Sequence, residues 1–533
     1  MSVALGFARR SLPARLAVKP RFHRQVNGYG GEFVYSQMRA PGCRSIRTKV
    51  NEATSGSPFA CTWLTSTPKR INPDDILSSC PKPPSGLTRD HTQILLVTPA
   101  FAHWADRKSH FLDTWMNQFS QQTSQSSVPE PINAVIAVVD RLPENCSRNG
   151  HPNAGEAATE SEGLSVLFVR NENIQGKSTQ SRQLRSVEKE ESTVIVSFRK
   201  SVDPQTTIPP PLHEVGLRLA NTIFLNGKER TLIGTRWAYD PSVKKLSLKE
   251  SVDLSLCSVT VNHTGIHKSL ELPLYPVGER RKVISSMGNI LRQIGKHADG
   301  KSDEPMPASS ELERELPRYI DEHNIVDRRV SVWALIEASV ESPYSKSRHS
   351  RSDLAKSIQA GAKLHRVMSG GGGWGKKQGL LSLDPEVSFE TSGQKDIAAL
   401  DDIFSGNAQA STDGVTIPPE SPIALEDLST LSQAAKPGNY VQFFASIEQD
   451  QSPSSQDNAP TSSKESIWYN FGVVSDAEAL PSQTEQEKEL RVVPSYFGAL
   501  SENAITYLQP VDKASESRTK IDVPGSRVAL MLQ

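Results

Sequence analysis

The glycine-rich segment at 370–379 is the part of the sequence that comes closest to a chemical motif. Its core consists of Gly370, Gly371, Gly372, Gly373, Trp374, Gly375, Lys376 and Lys377. This spacing satisfies the G-x-x-x-x-G-K part of a phosphate-binding loop. In such loops a serine or threonine follows the lysine and binds magnesium, but here that position holds Lys377. A nucleotide-binding P-loop is therefore disfavoured.

The element expected before this segment also argues against a nucleotide site. Apolar residues at helical spacing over 352–368 predict a helix that runs into the glycines. The C-terminal end of a helix repels anions, whereas phosphate loops use helix N-termini. Two interpretations remain open. The backbone N–H groups and the two lysines form a nest for an anion or a partner, or the glycines end the helix and let the backbone pass close to Trp374.

Other residues with reactive side chains form no recognisable set. His263 and His267 have the spacing of metal ligands on a helix, but Thr264 and Gly265 between them predict a turn. The five cysteines are widely spaced and include no C-x-x-C pair, which indicates neither a disulfide framework nor a zinc site. The sequence also contains no G-x-S-x-G elbow. We therefore assign no catalytic residue, metal or cofactor, and a non-catalytic role is favoured.

A basic helix is predicted at 280–294. Its apolar residues fall on one helical face and leave three basic side chains for solvent or a partner: Arg281, Lys282 and Arg292. Such a face could contact RNA phosphates. The alternative is a solvated surface.

The net charge of zero is a cancellation between segments. Residues 1–51 carry ten basic side chains and one acid, a net of +9. Residues 52–383 carry 41 basic and 36 acidic side chains, and residues 384–533 carry 9 basic and 23 acidic ones, giving +5 and −14. Removal of the first segment leaves an acidic protein, for which general affinity for nucleic acid is disfavoured.

The first 51 residues have the composition of a mitochondrial presequence. Arginines recur among leucines with a single acid, Glu32, and no long apolar run is present. We therefore predict a mitochondrial, matrix-located protein; a basic tail with no targeting role is the alternative. No apolar run approaches the roughly 18 residues that cross a bilayer, so no transmembrane segment is expected.

The rest of the chain predicts an α/β fold, with a mixed sheet and flanking helices. Residues 52–89 are rich in Pro, Ser and Thr and are expected to be a disordered linker. The α/β core is placed at 90–300, with buried strands at 94–98, 134–139, 164–169 and 193–198 and helices at 106–121 and 213–225. A helical extension with the glycine-rich loop follows at 301–385. Residues 386–533 are expected to be an acidic, β-rich region with disordered insertions.

Several short segments carry a resemblance. They are SMGNILRQ at 286–293, PASSELE at 307–313, VWALI at 332–336, SGGGGWGKKQGLLSLDP at 369–385 and DVPGSRV at 522–528. Together they resemble a family of largely uncharacterised fungal mitochondrial proteins, a likeness that spans about 90–533. The resemblance implies the compartment and transfers no activity and no catalytic residue.

These observations lead to two hypotheses about function. The first is a non-catalytic binding or assembly factor with a protein partner in mitochondria, acting in organelle gene expression or respiratory-complex biogenesis. The second is an α/β ligand-binding or enzymatic domain that uses the 370–379 loop for an anionic small molecule.

We expect residues 1–60 to direct a fluorescent reporter to mitochondria, because the basic amphipathic segment is drawn by an inside-negative potential. Fluorescence microscopy measures this. A matched fusion with Arg9, Arg10 and Arg15 changed to Gln should stay in the cytosol. A diffuse signal from the unmodified fusion would contradict the presequence.

Overall fold

The computed structural model describes residues 59–81, 90–106, 109–120, 131–144, 160–179, 191–201, 212–223, 230–298, 303–323, 325, 330–338, 350–370, 379–388, 397–405, 434–446, 466–475, 490–511 and 515–532. All of them belong to one compact unit, Ser55–Gln533. The predicted presequence at 1–51 lies outside the described residues.

Strands dominate the described residues. In chain order they are β1 (Phe59–Thr65), β2 (His91–Val97), β3 (Ile132–Val138), β4 (Leu142–Pro143), β5 (Glu160–Arg170), β6 (Ile174–Ser178), β7 (Thr193–Lys200), β8 (Leu212–Arg218), β9 (Leu232–Asp240), β10 (Lys245–His263), β11 (Ile266–Glu271), β12 (Leu274–Met287), β13 (Ile290–Gly295), β14 (Pro305–Pro307), β15 (Ser331–Glu337), β16 (Lys363–Gly370), β17 (Leu381–Leu383), β18 (Ala398–Ala399), β19 (Tyr440–Ser446), β20 (Ile467–Val473), β21 (Arg491–Pro494), β22 (Tyr496–Ser501), β23 (Ile505–Pro510), β24 (Glu516–Ile521) and β25 (Arg527–Leu532).

The described residues contain only a few short helices. They are α1 (Pro73–Ser78), α2 (His110–Ser120), α3 (Ser310–Glu322), α4 (Arg351–Gln359) and α5 (Leu400–Phe404). Short 3₁₀ helices occur at Pro68–Arg70, Pro99–Ala105 and Asn171–Asn173. Among the described residues, no helix has the length and apolarity needed to cross a bilayer.

The predicted α/β fold is wrong, because the protein is mainly β. Its strands form three sheets. The largest has 14 strands, with the main order β21-β1-β5-β2-β3-β9-β10-β7-β8-β23-β24. A four-stranded sheet has the order β11-β25-β20-β22, and the third sheet has seven strands. The largest sheet is mixed, with β2–β3 and β7–β10 as parallel pairs, but helices do not flank it on both faces.

The predicted buried strands are present, but a second sheet covers one of their faces. Along β2, Leu96 faces a core shared with the four-stranded sheet, where it lies among residues such as Tyr469. The adjacent Leu95 faces a second core, which contains Trp115 of α2. A continuous apolar run shows that both faces of a strand are covered. It does not say whether helices or strands cover them.

Two predicted helices are strands. Residues 213–218 of the first belong to β8, and 224–225 lie outside the described residues. Residues 280–294 fold into parts of β12 and β13 around a turn in which Gly288 has φ 60°. Register shifts interrupt the β12–β13 pairing at Ser285. Such bulges disturb the two-residue alternation of a strand, which leaves a pattern that also fits a helix. The helix predicted at 106–121 is confirmed as α2, and α3 lies within the predicted helical extension at 301–385.

The predicted boundaries at both ends of the core also differ from the structure. Residues 52–89, expected to be a linker, contain β1 and α1, and β1 pairs with β5 inside the largest sheet. Strands of the acidic region after 386 are interleaved with earlier ones. For example, β21 pairs with β1, β23 pairs with β8 and β25 pairs with β11. The C-terminal strands therefore complete the sheets of the core.

The seven-stranded sheet contains a closed ring. Strands β12, β19, β15, β16, β17 and β13 pair in that order, and β13 pairs back to β12, all antiparallel. Its core includes Val283, Ala334, Leu381 and Phe443. Trp333, adjacent to Ala334 on β15, belongs to the core of the large sheet. One face of β15 thus packs inside the barrel, and its other face packs against the core of the large sheet.

A buried ion pair joins the barrel to α3. The Nε of Arg281 lies 2.9 Å from Oε2 of Glu311, and the side chains are 4% and 0% exposed. The other oxygen of Glu311 accepts a hydrogen bond from the backbone N–H of Glu279. Arg281 also donates to the carbonyl of Lys296. A charge removed from water in this way is stable only while its partner is present.

We predict that Glu311→Gln lowers the free energy of unfolding by about 3–5 kcal/mol, because the buried Arg281 would then keep only Glu279, whose side chain is 52% exposed, as a counterion. Chemical denaturation measures the change. Arg314→Gln is the matched control, since Arg314 also pairs with Glu311 but is 60% exposed; its loss should be about 0–1 kcal/mol. Equal losses in the two variants would contradict this account.

Candidate functional site

The glycine-rich segment connects two antiparallel strands. Gly370 is the last residue of β16 and pairs with Leu381 of β17. The other predicted site residues, Gly371, Gly372, Gly373, Trp374, Gly375, Lys376 and Lys377, lie outside the described residues. The helix predicted at 352–368 is wrong in its second half, because α4 ends at Gln359 and β16 begins at Lys363. Because both flanking elements are strands, neither offers a helix N-terminus to a phosphate.

Close contacts explain the glycines at the two ends of this hairpin. A Cβ on Gly370 would lie 2.2 Å from Cδ2 of Leu381. Gly379 has φ 82°, and a Cβ there would lie 2.6 Å from Cβ of Pro307. Side chains at these two positions would collide with their neighbours, and Gly379 also needs a backbone conformation that L-residues rarely adopt. Close packing therefore accounts for glycine at positions 370 and 379. The predicted helix end at these glycines is wrong, because Gly370 ends a strand, and Trp374 lies outside the described residues.

An ion-pair cluster lies just after the hairpin. Nζ of Lys520 on β24 lies 2.7 Å from Oδ2 of Asp384 and 2.5 Å from Oε2 of Glu386. Glu386 also pairs with Arg218 at the end of β8, at 2.6 Å. Since β17 belongs to the barrel while β8 and β24 belong to the large sheet, this cluster connects the two. We call Asp384, Glu386, Lys520 and Arg218 the clamp.

The charges of the clamp stabilise one another. Burial lowers the pKa of Lys520, but hydrogen bonds to Asp384 and Glu386 outweigh it, and the pKa lies above its usual value. Burial raises the pKa of Asp384, but the hydrogen bonds from Lys520 and from the backbone of Glu386 bring it below its usual value. Both groups therefore remain charged near neutral pH. Asp384 accepts the Glu386 N–H at 3.0 Å, as expected for a turn-forming residue.

Trp333, His365 and Asp522 lie beside the clamp. The indole Nε1 of Trp333 donates to Oδ1 of Asp522 at 2.7 Å. Burial raises the pKa of Asp522. Nδ1 of His365 lies 2.8 Å from the carbonyl of Asp384. Since a carbonyl only accepts, Nδ1 carries the proton and Nε2 keeps its lone pair.

Burial lowers the pKa of His365, whose Nε2 has no hydrogen-bond partner among the described residues. This imidazole is 1% exposed. It is therefore a neutral, buried base within a rigid junction. Sequence reasoning assigned no role to His365, Lys520 or Asp522, although Asp522 lies in one of the segments it singled out.

A second perturbed carboxylate follows β3. Burial raises the pKa of Asp140 to about 6, although Asp140 accepts a 2.8 Å hydrogen bond from the backbone N–H of Glu502. The neighbouring Arg141 pairs with Glu162 of β5. These contacts hold the end of β3 against β5 and the β22–β23 turn. The position directly after a parallel strand could have drawn attention to Asp140, since ligands often bind there in α/β sheets.

The predicted basic helix face does not exist. Arg281 is buried in its pair with Glu311, and Lys282 pairs with Asp303 at 2.7 Å. Arg292 is exposed on β13. The three residues lie on two strands of a hairpin and do not form one basic surface, because the two-residue alternation of strands distributes them differently from a helix.

The described histidines and cysteines form no reactive centre. His263 is buried at the end of β10, whereas His267 is exposed on β11. Within the described residues, no group of three His, Cys, Asp or Glu side chains could hold a metal ion. Burial raises the pKa of the thiols of Cys80 and Cys257 to about 12, and it also raises that of Cys61. These thiols are therefore protonated at neutral pH.

We predict that Lys520→Met lowers the free energy of unfolding by about 2–3 kcal/mol, since two part-buried carboxylates lose their shared cation. The depressed pKa of Asp384 contributes stability above its unfolded-state value of about 3.9, and this is lost as the pH falls through the lower folded-state value. The variant should therefore lose less stability than the wild type between about pH 5 and pH 2.

Denaturation at a series of pH values tests this prediction. Lys282→Met is the control, because it removes an exposed pair with Asp303, whose side chain is 71% exposed. Its cost should stay below about 1 kcal/mol. Identical acid sensitivity in wild type and Lys520→Met would contradict the role of the clamp.

Comparison of this chain with models of protein families, with curated proteins and with solved structures finds no match.

Proposed function

We propose that this chain is a non-catalytic binding factor of the mitochondrial matrix, acting in organelle gene expression or respiratory-complex biogenesis. In this proposal the glycine-rich hairpin loop, residues 371–378, contacts a protein partner.

The anchoring of the loop is the observation that carries the proposal. At one end, β16 pairs with β15 and β17; at the other, β17 pairs with β13 and β16 within the closed barrel. Gly379 accepts a hydrogen bond from the N–H of Ser309 at 3.1 Å. The clamp then ties the residues after β17 to the large sheet. Binding residues are often found on loops that a rigid scaffold positions in this way.

The composition of the loop indicates the chemistry of the partner. Lys376 and Lys377 provide two positive charges and follow Trp374 closely in the sequence. Tryptophan is common at the energetic centres of protein interfaces, and opposite charge speeds association and fixes orientation. We therefore propose an acidic protein surface as the partner.

The proposed location rests on sequence composition. The segment 1–51 has a net charge of +9. The proposed relationship to the fungal family supports the same compartment, because its members have N-termini of the same kind.

We expect Lys376→Ala with Lys377→Ala to abolish co-purification of the specific partner from mitochondria, because the loop loses both charges. Affinity purification with mass spectrometry identifies the partner, and titration with the purified proteins should show at least about tenfold weaker binding, or about 1.4 kcal/mol. The melting temperature should not change.

The matched control is Lys245→Ala with Lys249→Ala. It removes the same charge from exposed positions on β10 and should bind the partner as the wild type does. Equal binding by the loop variant and the control would contradict the proposal. A chain that purifies alone with a bound anionic metabolite would instead support the small-molecule hypothesis.

A further inference from the structure

A group of nitrogen-bearing side chains lies at one end of the core between the large sheet and the four-stranded sheet. It consists of His213 on β8, His263 on β10 and Lys268 on β11, together with Tyr507 on β23. Along β7, which lies between β8 and β10, Phe198 is the register partner of His213 and Lys200 is that of His263. Lys268 is close enough for its charge to act on His213. Each strand places its residue on the core side. His263 follows Val259 and Val261 in the two-residue alternation of β10, and both of these valines belong to the shared core.

Lys268 occupies an inward-facing position. It lies between Ile266, which packs against the core, and Leu270, which is part of it. Burial lowers the pKa of Lys268, and no carboxylate opposes this effect. This ammonium forms no ion pair with another of the described residues. A lysine at such a position is unfavourable unless something compensates its charge.

Positive charges also act on the neighbouring imidazoles of His213 and His263. Burial lowers the pKa of His213 to about 4, and the charges of Lys268 and His263 lower it further. Burial, followed by the charge of Lys200, lowers the pKa of His263. Lys200 is the register partner of His263 in the parallel β7–β10 pair. The charges that lower the two histidine pKa values are thus those of basic groups, whereas a backbone contact with Gly265 raises the pKa of His263.

Some buried polar atoms of this site have no hydrogen-bond partner among the described residues. His263 is 5% exposed, yet neither of its ring nitrogens has a hydrogen-bond partner among the described residues. Tyr507 lies with its hydroxyl 3.3 Å from Nδ1 of His213, and the two rings are stacked at 18°. Burial raises the pKa of Tyr507, so its hydroxyl keeps the proton and remains a donor. Buried polar atoms without partners commonly mark a missing ligand or water.

We propose that Lys268, His263, His213 and Tyr507 form a binding site for a small oxyanion, a carboxylate or phosphate group. The ammonium supplies the charge. His263 supplies an N–H donor, and the hydrogen-bonded pair of Tyr507 and His213 supplies one further donor, from the phenol or from Nε2 of the imidazole. Lys200 adds charge at the rim. The apolar core behind the cluster, which includes Phe198 and Leu270, would strengthen these interactions by excluding water. This site lies on strands that do not flank the glycine-rich loop and is independent of the proposed function.

Isothermal titration calorimetry of the full chain at constant ionic strength, with inorganic phosphate in one arm and acetate in the other, tests the proposal. We expect saturable binding of at least one anion, and Lys268→Met should weaken it by at least tenfold. Lys249→Met, which removes an exposed lysine of β10, should leave the affinity unchanged. Preference for phosphate or acetate identifies which group the site takes.

Melting temperatures in anion-free buffer give a second readout. Lys268→Met should melt at or above the wild-type temperature, because the variant removes a desolvated charge that lacks a counterion. If that variant fails to fold, Tyr507→Phe removes only the hydroxyl and should weaken anion binding by about threefold to tenfold. The Lys376→Ala with Lys377→Ala protein should bind the anion normally, which separates this site from the loop.

The proposal would be overturned by two results. One is absence of saturable binding of either anion up to about 20 mM, the limit of a weak specific site. The other is equal affinity in the wild type and in both site variants.

Discussion

The fold depends on strands that contribute their two faces to two different cores. Along β2, adjacent leucines belong to separate cores, and β15 does the same between the barrel and the large sheet. Such a strand cannot shift its register by one residue without exchanging the side chains of both cores at once. Each core therefore fixes the alignment of the other. Because β15 carries Trp333 towards one core and Ala334 towards the other, the packing of this strand helps to position the barrel against the large sheet.

Charge pairs lie at the junctions that this arrangement creates. Arg281 and Glu311 join the barrel to its helix, and Lys520 joins the barrel to the large sheet. Apolar packing has no direction, whereas an ion pair with hydrogen bonds fixes distance and orientation. The glycine-rich loop emerges from the strand that the second junction holds. A loop with fixed ends loses less freedom on binding than one with mobile ends.

The sequence predicted local features well and distant ones poorly. The apolar runs at 94–98 and 193–198 are strands, because short runs rich in β-branched residues have few alternatives. The segment 280–294 fits helical spacing, and only its Gly288-Asn289 step hinted at a hairpin. In the candidate site, Lys520 and Asp384 are 136 residues apart, and Trp333 and Asp522 are 189 apart. No local pattern signals such contacts, since the pairing of distant strands creates them. The sequence likewise did not show that Lys268 faces inward, because this follows only from the packing of β11 against a core.

The interleaving of early and late strands constrains how the chain can fold. β25 pairs with β11 and β20, and β21 pairs with β1 more than 400 residues earlier in sequence. During synthesis, β1 and β11 expose unpaired edges until those late strands have emerged from the ribosome. Contacts of such long range form slowly, and exposed edges favour aggregation in the meantime. A chain with this topology is therefore most exposed to aggregation between the synthesis of its first strands and that of its last ones.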